Sequence, residues 1–284
     1  MTLRGRRSES PLELEVTLQT GAAKTAKLNG APLRAAEQLR SEVATLVFTP
    51  DRLAVVKGGP AARRAYFDRA LGRLAPARAS LPAEYGAAIA QRNASLRRIA
   101  GGYSSRDALA PWTQRVAELG AQLVEARRDV VAALTRGFVA HADELGLPDA
   151  HVTYDGDAPT VEALDARLDR DLERTATGIG PHLDDFALRA GTRDLRSYGS
   201  QGEQRLTVLA LLLAEAEVLE ERRGVRPLLL LDDVLSELDG ERRRVLVDRV
   251  GARGQTFVTA TSATALPAEP AQLLEVSPGA VAIR

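Results

Sequence analysis

The chain has 284 residues, of which 45% are apolar and 27% are charged, and its 38 basic side chains balance 38 acidic ones. This composition favours one large folded domain or two ordinary ones over a disordered chain, and the zero net charge provides no overall attraction to nucleic acid. The absence of cysteine excludes disulfides, thiolate metal sites and cysteine nucleophiles. The sequence has neither a signal-peptide pattern nor an apolar run that could cross a bilayer, so we expect a soluble cytoplasmic protein with no membrane partner.

Short strands are predicted near the start of the chain. Residues 12–18 alternate apolar and polar side chains, which is the pattern of a half-buried strand. Turn signals on both sides bound a second short strand at residues 26–28. The apolar run 43–48 ends before Pro50 and predicts a buried strand.

The middle of the chain, from about residue 60 to residue 174, has the composition and apolar spacing of helices. An apolar stripe within it predicts one long helix or a broken pair, so a helical insertion is the simplest interpretation. The stripe consists of Val116, Leu119, Leu123, Val130, Leu134, Phe138 and Leu145. A metal site is not expected here, because His141 and His151 have no further ligand at a suitable spacing.

Strands and helices alternate in the last third of the chain, which predicts an α/β sheet. The four-leucine strand has no polar alternation and is therefore expected to be buried on both faces of a parallel sheet. The predicted elements are a hairpin at residues 186–190 and 193–195, a helix at 201–222, the leucine strand at 228–231, a helix at 241–250 and a strand at 256–260.

Two carboxylates, Asp232 and Asp233, directly follow the leucine strand. They are predicted at the carboxyl edge of the sheet, where α/β folds bind ligands. In nucleotide hydrolases an aspartate at this place holds Mg²⁺, and a second carboxylate can orient or deprotonate water. The alternative is a buried strand that runs into an acidic turn with an aspartate helix cap. The continuation Ser-Glu-Leu-Asp at residues 236–239 argues against that alternative.

The segment Tyr-Gly-Ser-Gln-Gly-Glu-Gln-Arg, residues 198–205, opens the helix predicted from residue 201. Ser200 is a good N-cap, Gly202 allows the backbone to approach a ligand closely, and the free N–H groups of a helix start favour an anion. A capped helix alone is commonplace. This cap is informative because its helix leads directly to the leucine strand that ends in the two acids, which favours a ligand-binding role.

Together these motifs resemble the ABC/SMC class of ATPases. Residues 200–204 look like the signature motif, 228–232 like Walker B and 236–239 like the D-loop, whereas residues 259–261 occupy the place of a switch loop that usually carries histidine. The role of that loop is therefore left open. The resemblance implies an α/β fold with an ABC-type ATPase sheet, incomplete at the N-terminus, and a helical insertion lobe. It divides the chain into an N-terminal part of the ATPase lobe at residues 1–58, the helical lobe at 59–177 and the C-terminal part of the ATPase lobe at 178–284.

The likeness narrows to the RecF family and covers nearly the whole chain after Pro11. Residues 48–51, Phe-Thr-Pro-Asp, with 55–60 and 63–68, are very similar to a characteristic RecF segment. Gln-Arg-Asn at 91–93 and Gly-Pro-His-Leu-Asp-Asp at 180–185 also match. Two aspartates at the end of Walker B are likewise typical of RecF. The chain is therefore identified as a member of that family.

This resemblance implies an ATP-dependent DNA-binding protein of recombinational repair and replication-fork maintenance. It would bind ATP and Mg²⁺, dimerise with ATP between the subunits, recognise double-stranded DNA and single-/double-strand junctions or gaps, and help to load the recombinase together with RecR and RecO. By the same resemblance, Asp232 would ligate Mg²⁺, and Asp233 would position the attacking water as the catalytic residue. The residues that would contact ATP held by the opposite subunit are Ser200, Gly202, Glu203, Ser236 and Asp239.

The phosphate-binding loop, G-x-x-x-x-G-K-[ST], is missing around all three lysines, Lys24, Lys27 and Lys57. Residues 21–25 are better explained as a hairpin turn. We therefore expect an N-terminal truncation, weak ATP binding in the chain's own site and ATP turnover near background.

Two alternatives stay open for the function. Another SMC-like ATPase head is disfavoured by the short insertion, and a non-hydrolysing DNA-binding or scaffold derivative of such an ATPase is favoured by the missing loop. No arginine is assigned to DNA. Arg63 and Arg64 are candidates, and a structural salt bridge explains them at least as well.

Overall fold

The structure, a computed structural model, describes residues 2–7, 10–21, 25–33, 44–236, 238–251, 254–262 and 265–283, with side chains from residue 11 onward. The chain forms two compact units, Met1–Thr45 and Leu46–Arg284. The three-part division at residues 58 and 177 stays a prediction. Lys24 and most of the hairpin turn predicted at 21–25 lie outside the described residues, as does Glu237 in the D-loop-like segment.

The first unit contains an antiparallel sheet with its four strands in chain order. The strands are β1 (Thr2–Arg7), β2 (Ser10–Thr17), β3 (Thr25–Leu28) and β4 (Ala31–Leu33). The Asn-Gly turn after β3 has positive φ at both residues, 48° at Asn29 and 82° at Gly30, which is the backbone that a tight hairpin requires. The Asn29 side chain accepts a hydrogen bond from the Glu13 N–H at 2.7 Å. The two strands predicted here are confirmed.

The second unit is built around a three-stranded sheet in the order β10–β9–β5. Its strands are β5 (Thr45–Phe48), β9 (Leu228–Leu231) and β10 (Thr256–Val258). The leucine strand β9 lies in the centre and is parallel to β10, with Leu231 opposite Val258. Leu229 and Leu231 are buried, while Leu228 and Leu230 are half-buried. The parallel sheet predicted from this strand is therefore confirmed, and the register brings the carboxyl ends of β9 and β10 together.

Helices dominate the region between β5 and β9. They are α1 (Ala54–Lys57), α2 (Pro60–Leu74), α3 (Leu81–Ala100), α4 (Ala110–Glu144), α5 (Val161–Asp165) and α6 (Leu168–Arg174). The predicted apolar stripe is buried along a single unbroken helix, α4, with Leu145 just beyond its end. Helix α4 packs against α3 and against a later helix, Gln201–Arg223.

One strand interrupts the region that was predicted to be helical throughout. Strand β6 (Ala150–Tyr154) pairs antiparallel with β7 (Phe186–Ala190), and β7 forms the predicted hairpin with β8 (Arg193–Asp194). The prediction was wrong here because the alternation of buried residues in β6 spans only five residues. The partner that stabilises this strand lies far along the chain.

The last elements are α7 (Leu195–Tyr198), α8 (Gln201–Arg223), α9 (Gly240–Gly251), β11 (Leu274–Ser277) and β12 (Ala280–Ile283). Helix α8 is buried on nearly all sides through its middle and ends at Gly224, whose φ of 68° is a common helix stop. The hairpin of β11 and β12 was not predicted. None of the helices that the structure describes combines the length and hydropathy needed for a transmembrane segment.

Candidate functional site

Asp232 and Asp233 lie at the carboxyl end of β9, as predicted. The Asp232 side chain is exposed and Asp233 is half-buried. Asp233 has a φ of 49°, a left-handed backbone that costs a residue with a side chain about 1–2 kcal/mol. Such strain tends to collect at functional sites, where neighbouring contacts hold it in place.

Thr259, the residue after β10, binds both acids. Its hydroxyl donates to the Asp232 carboxylate at 2.5 Å and accepts from the Asp233 N–H at 3.1 Å. Its own N–H donates to the Leu231 carbonyl at 2.9 Å, which extends the pairing of the two parallel strands. The switch-like segment therefore contacts the acid pair directly.

The D-loop-like segment turns back onto Asp233. The Ser236 hydroxyl oxygen lies 3.1 Å from a carboxylate oxygen of Asp233 and 3.2 Å from its carbonyl oxygen. Asp239 has a different place: its carboxylate accepts from the Arg242 N–H at 2.9 Å and thus caps helix α9.

The signature-like segment forms a capping box at the start of α8. The Ser200 hydroxyl oxygen accepts from the Glu203 N–H at 3.2 Å, and the Glu203 carboxylate accepts from the Ser200 N–H at 2.7 Å. Because the serine oxygen is the acceptor, its hydroxyl proton remains available as a donor. Ser200 is exposed, and a Cβ placed on Gly202 would meet only the serine oxygen, at 3.8 Å. The helix start is therefore open to an approaching group.

Glu203 is held by a second partner outside the helix. Arg193 donates to its free carboxylate oxygen at 2.8 Å. This hydrogen bond, with the Ser200 N–H as the next cause, lowers the pKa of Glu203 below its usual value. Glu203 is therefore ionised at neutral pH, and the arginine offsets its charge next to the anion-favouring helix start.

Arg205 connects helix α8 to the acid-bearing turn. Its side chain is only 4% exposed, and Nη1 donates to the Asp233 carbonyl at 3.1 Å and lies 3.4 Å from the Ser236 hydroxyl. The sequence interpretation missed this residue. The available signal was an arginine at the end of the signature-like motif, just before the apolar run of the helix.

The structure thus brings five residues into one hydrogen-bond network: Asp232, Asp233, Ser236, Thr259 and Arg205. Ser200, Gly202 and Glu203 form a separate cap at the N-terminal end of the helix that carries Arg205. Asp239 belongs to neither group through its own hydrogen bonds.

The acid pair suits a magnesium ion. One Asp232 oxygen is held by Thr259, and carboxylate oxygen is the ligand type that Mg²⁺ prefers. Among the described residues there is no group of three or more histidine, aspartate or glutamate side chains that could enclose a metal. Mg²⁺ in nucleotide sites needs only one or two carboxylates, since phosphate oxygens and water complete its shell.

Arg63 and Arg64, the arginines considered for DNA, both make internal contacts. Arg63 is 4% exposed, and its Nε and Nη2 each lie 2.7 Å from a carboxylate oxygen of Asp185. Arg64 donates to the Asp184 carbonyl at 2.6 Å. The structural salt bridge is the correct interpretation of Arg63, and both arginines fasten helix α2 to the segment before β7.

No protein-family model matches the chain, but curated proteins do. The DNA replication and repair protein RecF of Heliobacterium modesticaldum is 34% identical over 270 residues, which cover 88% of this chain and 71% of that protein. RecF of Anaeromyxobacter dehalogenans is 39% identical over 267 residues, covering 87% of this chain and 70% of that protein. The chain belongs to the RecF family.

Solved structures agree with this assignment. The recombination mediator protein RecF of the RecFOR pathway, in a structure described as RecF-ATP, matches with a TM-score of 0.83 and 26% identity over 97% of this chain and 76% of that one. An Smc head domain from Pyrococcus furiosus matches with a TM-score of 0.50 and 14% identity over 98% and 72% of the two chains, which shows likeness of fold alone. The predicted ABC-type ATPase fold with a helical region is confirmed.

Proposed function

We propose that this chain is an ATP-dependent DNA-binding protein of recombinational repair and replication-fork maintenance. It would act at gapped or junction DNA, help to load the recombinase and work with RecR and RecO. Its membership in a family of DNA replication and repair proteins supports this proposal, as does the likeness to a RecF structure described with ATP in the RecFOR pathway.

The single observation that carries the proposal is the network at the end of β9. Acidic residues at the carboxyl edge of a parallel sheet are held by a neighbouring strand, by the D-loop-like turn and by the signature-like helix. In this arrangement Asp232 would hold Mg²⁺, whose charge offsets that of the ATP phosphates. Asp233, beside it, would orient the attacking water.

The cap formed by Ser200, Gly202 and Glu203 is separate from the acid network, which is the arrangement expected if the cap serves the site of a second copy of the chain. Ser200 is exposed and has a hydroxyl proton to donate, and the first N–H groups of α8 favour an anion. We infer that Ser200, Gly202 and Glu203 face the γ-phosphate of ATP held by the opposite subunit, so that ATP promotes homodimer formation. Ser236 and Asp239 would lie next to the same interface and couple the two sites.

The test is the effect of ATP and Mg²⁺ on the affinity for gapped DNA, measured by fluorescence anisotropy at ATP concentrations high enough to overcome the weak ATP binding expected of a chain without the phosphate-binding loop. We expect ATP with Mg²⁺ to tighten DNA binding about 5- to 150-fold, the usual range of coupling between two sites. The variants Asp232→Ala and Ser200→Arg are expected to lose this increase. The matched controls Asp248→Ala and Ser197→Arg, which change exposed residues on α9 and α7, are expected to keep it.

Three other outcomes are informative. DNA binding that ignores ATP in every variant would favour the non-hydrolysing DNA-binding or scaffold protein. Loss of the ATP effect in the control variants as well would remove the assigned roles of Asp232 and Ser200. A chain that binds neither gapped DNA nor ATP would contradict the proposed function.

A further inference from the structure

Thr259 stands where related ATPases usually have a switch histidine, and the proposed function uses its contact with the acids without assigning it a role of its own. Its position is defined by two parallel strands: β10 ends at Val258, opposite Leu231, and the next residue, Thr259, hydrogen-bonds to Leu231 and Asp232. Thr259 is therefore adjacent to Asp232 because of the sheet register. This adjacency does not depend on a flexible loop.

The two contacts of Thr259 use both functions of a hydroxyl group. The oxygen accepts the Asp233 N–H at 3.1 Å, while the proton is donated to the Asp232 carboxylate at 2.5 Å. The first contact supports the left-handed backbone of Asp233, whose φ is 49°. The second fixes the direction of the carboxylate that would face the metal. A side chain without a hydroxyl group loses both contacts at once.

These contacts are not explained by a need to satisfy buried polar groups. Asp232 and Thr259 are both exposed, so water could solvate the carboxylate and the hydroxyl without cost to the fold. Thr256, on the same strand, provides the contrast. It is half-buried, and its hydroxyl lies 3.4 Å from the Val250 carbonyl at the end of α9, away from the acids.

We propose that Thr259 is the positioning residue of this site: it orients the Asp232 carboxylate towards the metal and holds the backbone of Asp233, the place that a histidine takes in related ATPases. This inference rests on the proposed function, since it needs ATP and Mg²⁺ at the acid pair. It adds a residue whose effect passes entirely through Asp232 and Asp233. Because the acids are already oriented, they would not need to rearrange when Mg²⁺ binds.

The experiment compares Thr259→Val, Thr259→Ser and the control Thr256→Val in the full chain, with two measurements. The first is the solvent exchange rate of the Asp233 amide without nucleotide, measured by NMR. We expect exchange to become about five times faster in Thr259→Val, the change that corresponds to losing one hydrogen bond of ordinary strength. The serine variant keeps the hydroxyl and is expected to stay near the wild-type rate, as is Thr256→Val.

The second measurement is the increase in ATP affinity that Mg²⁺ produces, followed by isothermal titration calorimetry at protein and ATP concentrations suited to the weak ATP binding expected of this chain. Thr259→Val is expected to lose most of this increase, and Thr259→Ser is expected to restore it. The affinity without Mg²⁺ is expected to change little in either variant, because the hydroxyl acts through the carboxylate.

An Asp233 amide that exchanges at the wild-type rate in Thr259→Val would overturn the inference, and so would an equal effect of Thr256→Val, which would reveal general loosening of the strand. If Mg²⁺ increases ATP affinity equally in the wild type and in Thr259→Val, the inference fails while the proposed function stands. If the wild type shows no Mg²⁺-dependent ATP binding, the proposed function fails, and the metal-orienting role falls with it.

Discussion

The ion pair between Arg92 and Asp171 provides a strong test of how the helical region is stabilised. Arg92 is 0% and Asp171 1% exposed, and Arg92 Nη1 lies 2.8 Å from a carboxylate oxygen of Asp171. The same nitrogen donates to the Thr177 hydroxyl at 2.9 Å, and the other Asp171 oxygen accepts from the Gly178 N–H at 3.1 Å. The pair therefore joins helix α3 to α6 and to residues 177 and 178, just before the Gly-Pro-His segment.

We expect Asp171→Ala to lower the free energy of unfolding by about 3–5 kcal/mol, because the change leaves the arginine charge buried without its carboxylate. That is a large part of the roughly 5–15 kcal/mol that stabilises a typical domain. Replacing both partners, with Arg92→Met and Asp171→Leu, removes the unpaired charge as well as the pair. The double variant is therefore expected to be more stable than Asp171→Ala alone.

The assay is urea unfolding followed by circular dichroism, with Asp169→Ala as the matched control on the same helix. Asp169 pairs with Arg106 at 2.9 Å, but the two side chains are 80% and 61% exposed, so its loss is expected to cost no more than about 1 kcal/mol. A loss below about 1 kcal/mol for Asp171→Ala, equal to that of the control, would refute the reasoning from burial.

Two further predictions concern the segment that follows this ion pair. Gly180→Ala is expected to destabilise the protein by more than about 1 kcal/mol, because Gly180 has a φ of 119° and its new Cβ would lie 2.5 Å from the Tyr85 hydroxyl. The control Gly86→Ala, at an exposed position of helix α3 where a new Cβ would meet no atom within 4 Å, is expected to stabilise the protein slightly in the same unfolding assay. Burial lowers the pKa of His182, an effect opposed by the Thr177 carbonyl, so the folded state binds fewer protons than the unfolded one. Stability should therefore fall as the pH drops through the ordinary histidine value of about 6.5. His182→Gln should reduce this fall when unfolding is measured at about pH 7.5 and about pH 5.5, and an unchanged pH dependence would exclude His182 as its source.

Much of the fold could be predicted because its signals are local. The burial stripe of α4, the serine cap of α8 and the leucine strand β9 each depend on residues within a few turns of one another, and each was found at or near its predicted bounds. Strand β6 and the hairpin of β11 and β12 were not predicted. The five residues of β6 are too few to stand out from the surrounding helices. Its partner β7 lies beyond helices α5 and α6 in the chain, so no local pattern announces the pairing.

The candidate site also has a part that could be predicted from local sequence and a part that could not. The acids after β9 and the serine before α8 were predictable, because strand ends and helix caps place particular side chains by local rules. The hydrogen bonds that hold the acids were not predictable, since Thr259 and Asp232 are 27 residues apart and Arg205 and Asp233 are 28 apart.

The sequence by itself determined which residues begin and end the elements around the site, because caps, alternation and apolar runs act over short distances. Only the tertiary structure decided which of those ends meet. The parallel register of β9 and β10 sets Thr259 beside the acids, and the depth of α8 in the core directs Arg205 to the same turn. These contacts between distant residues depend on the order of the strands and the packing of the helices. Both are properties of the whole chain and cannot be read from a short segment.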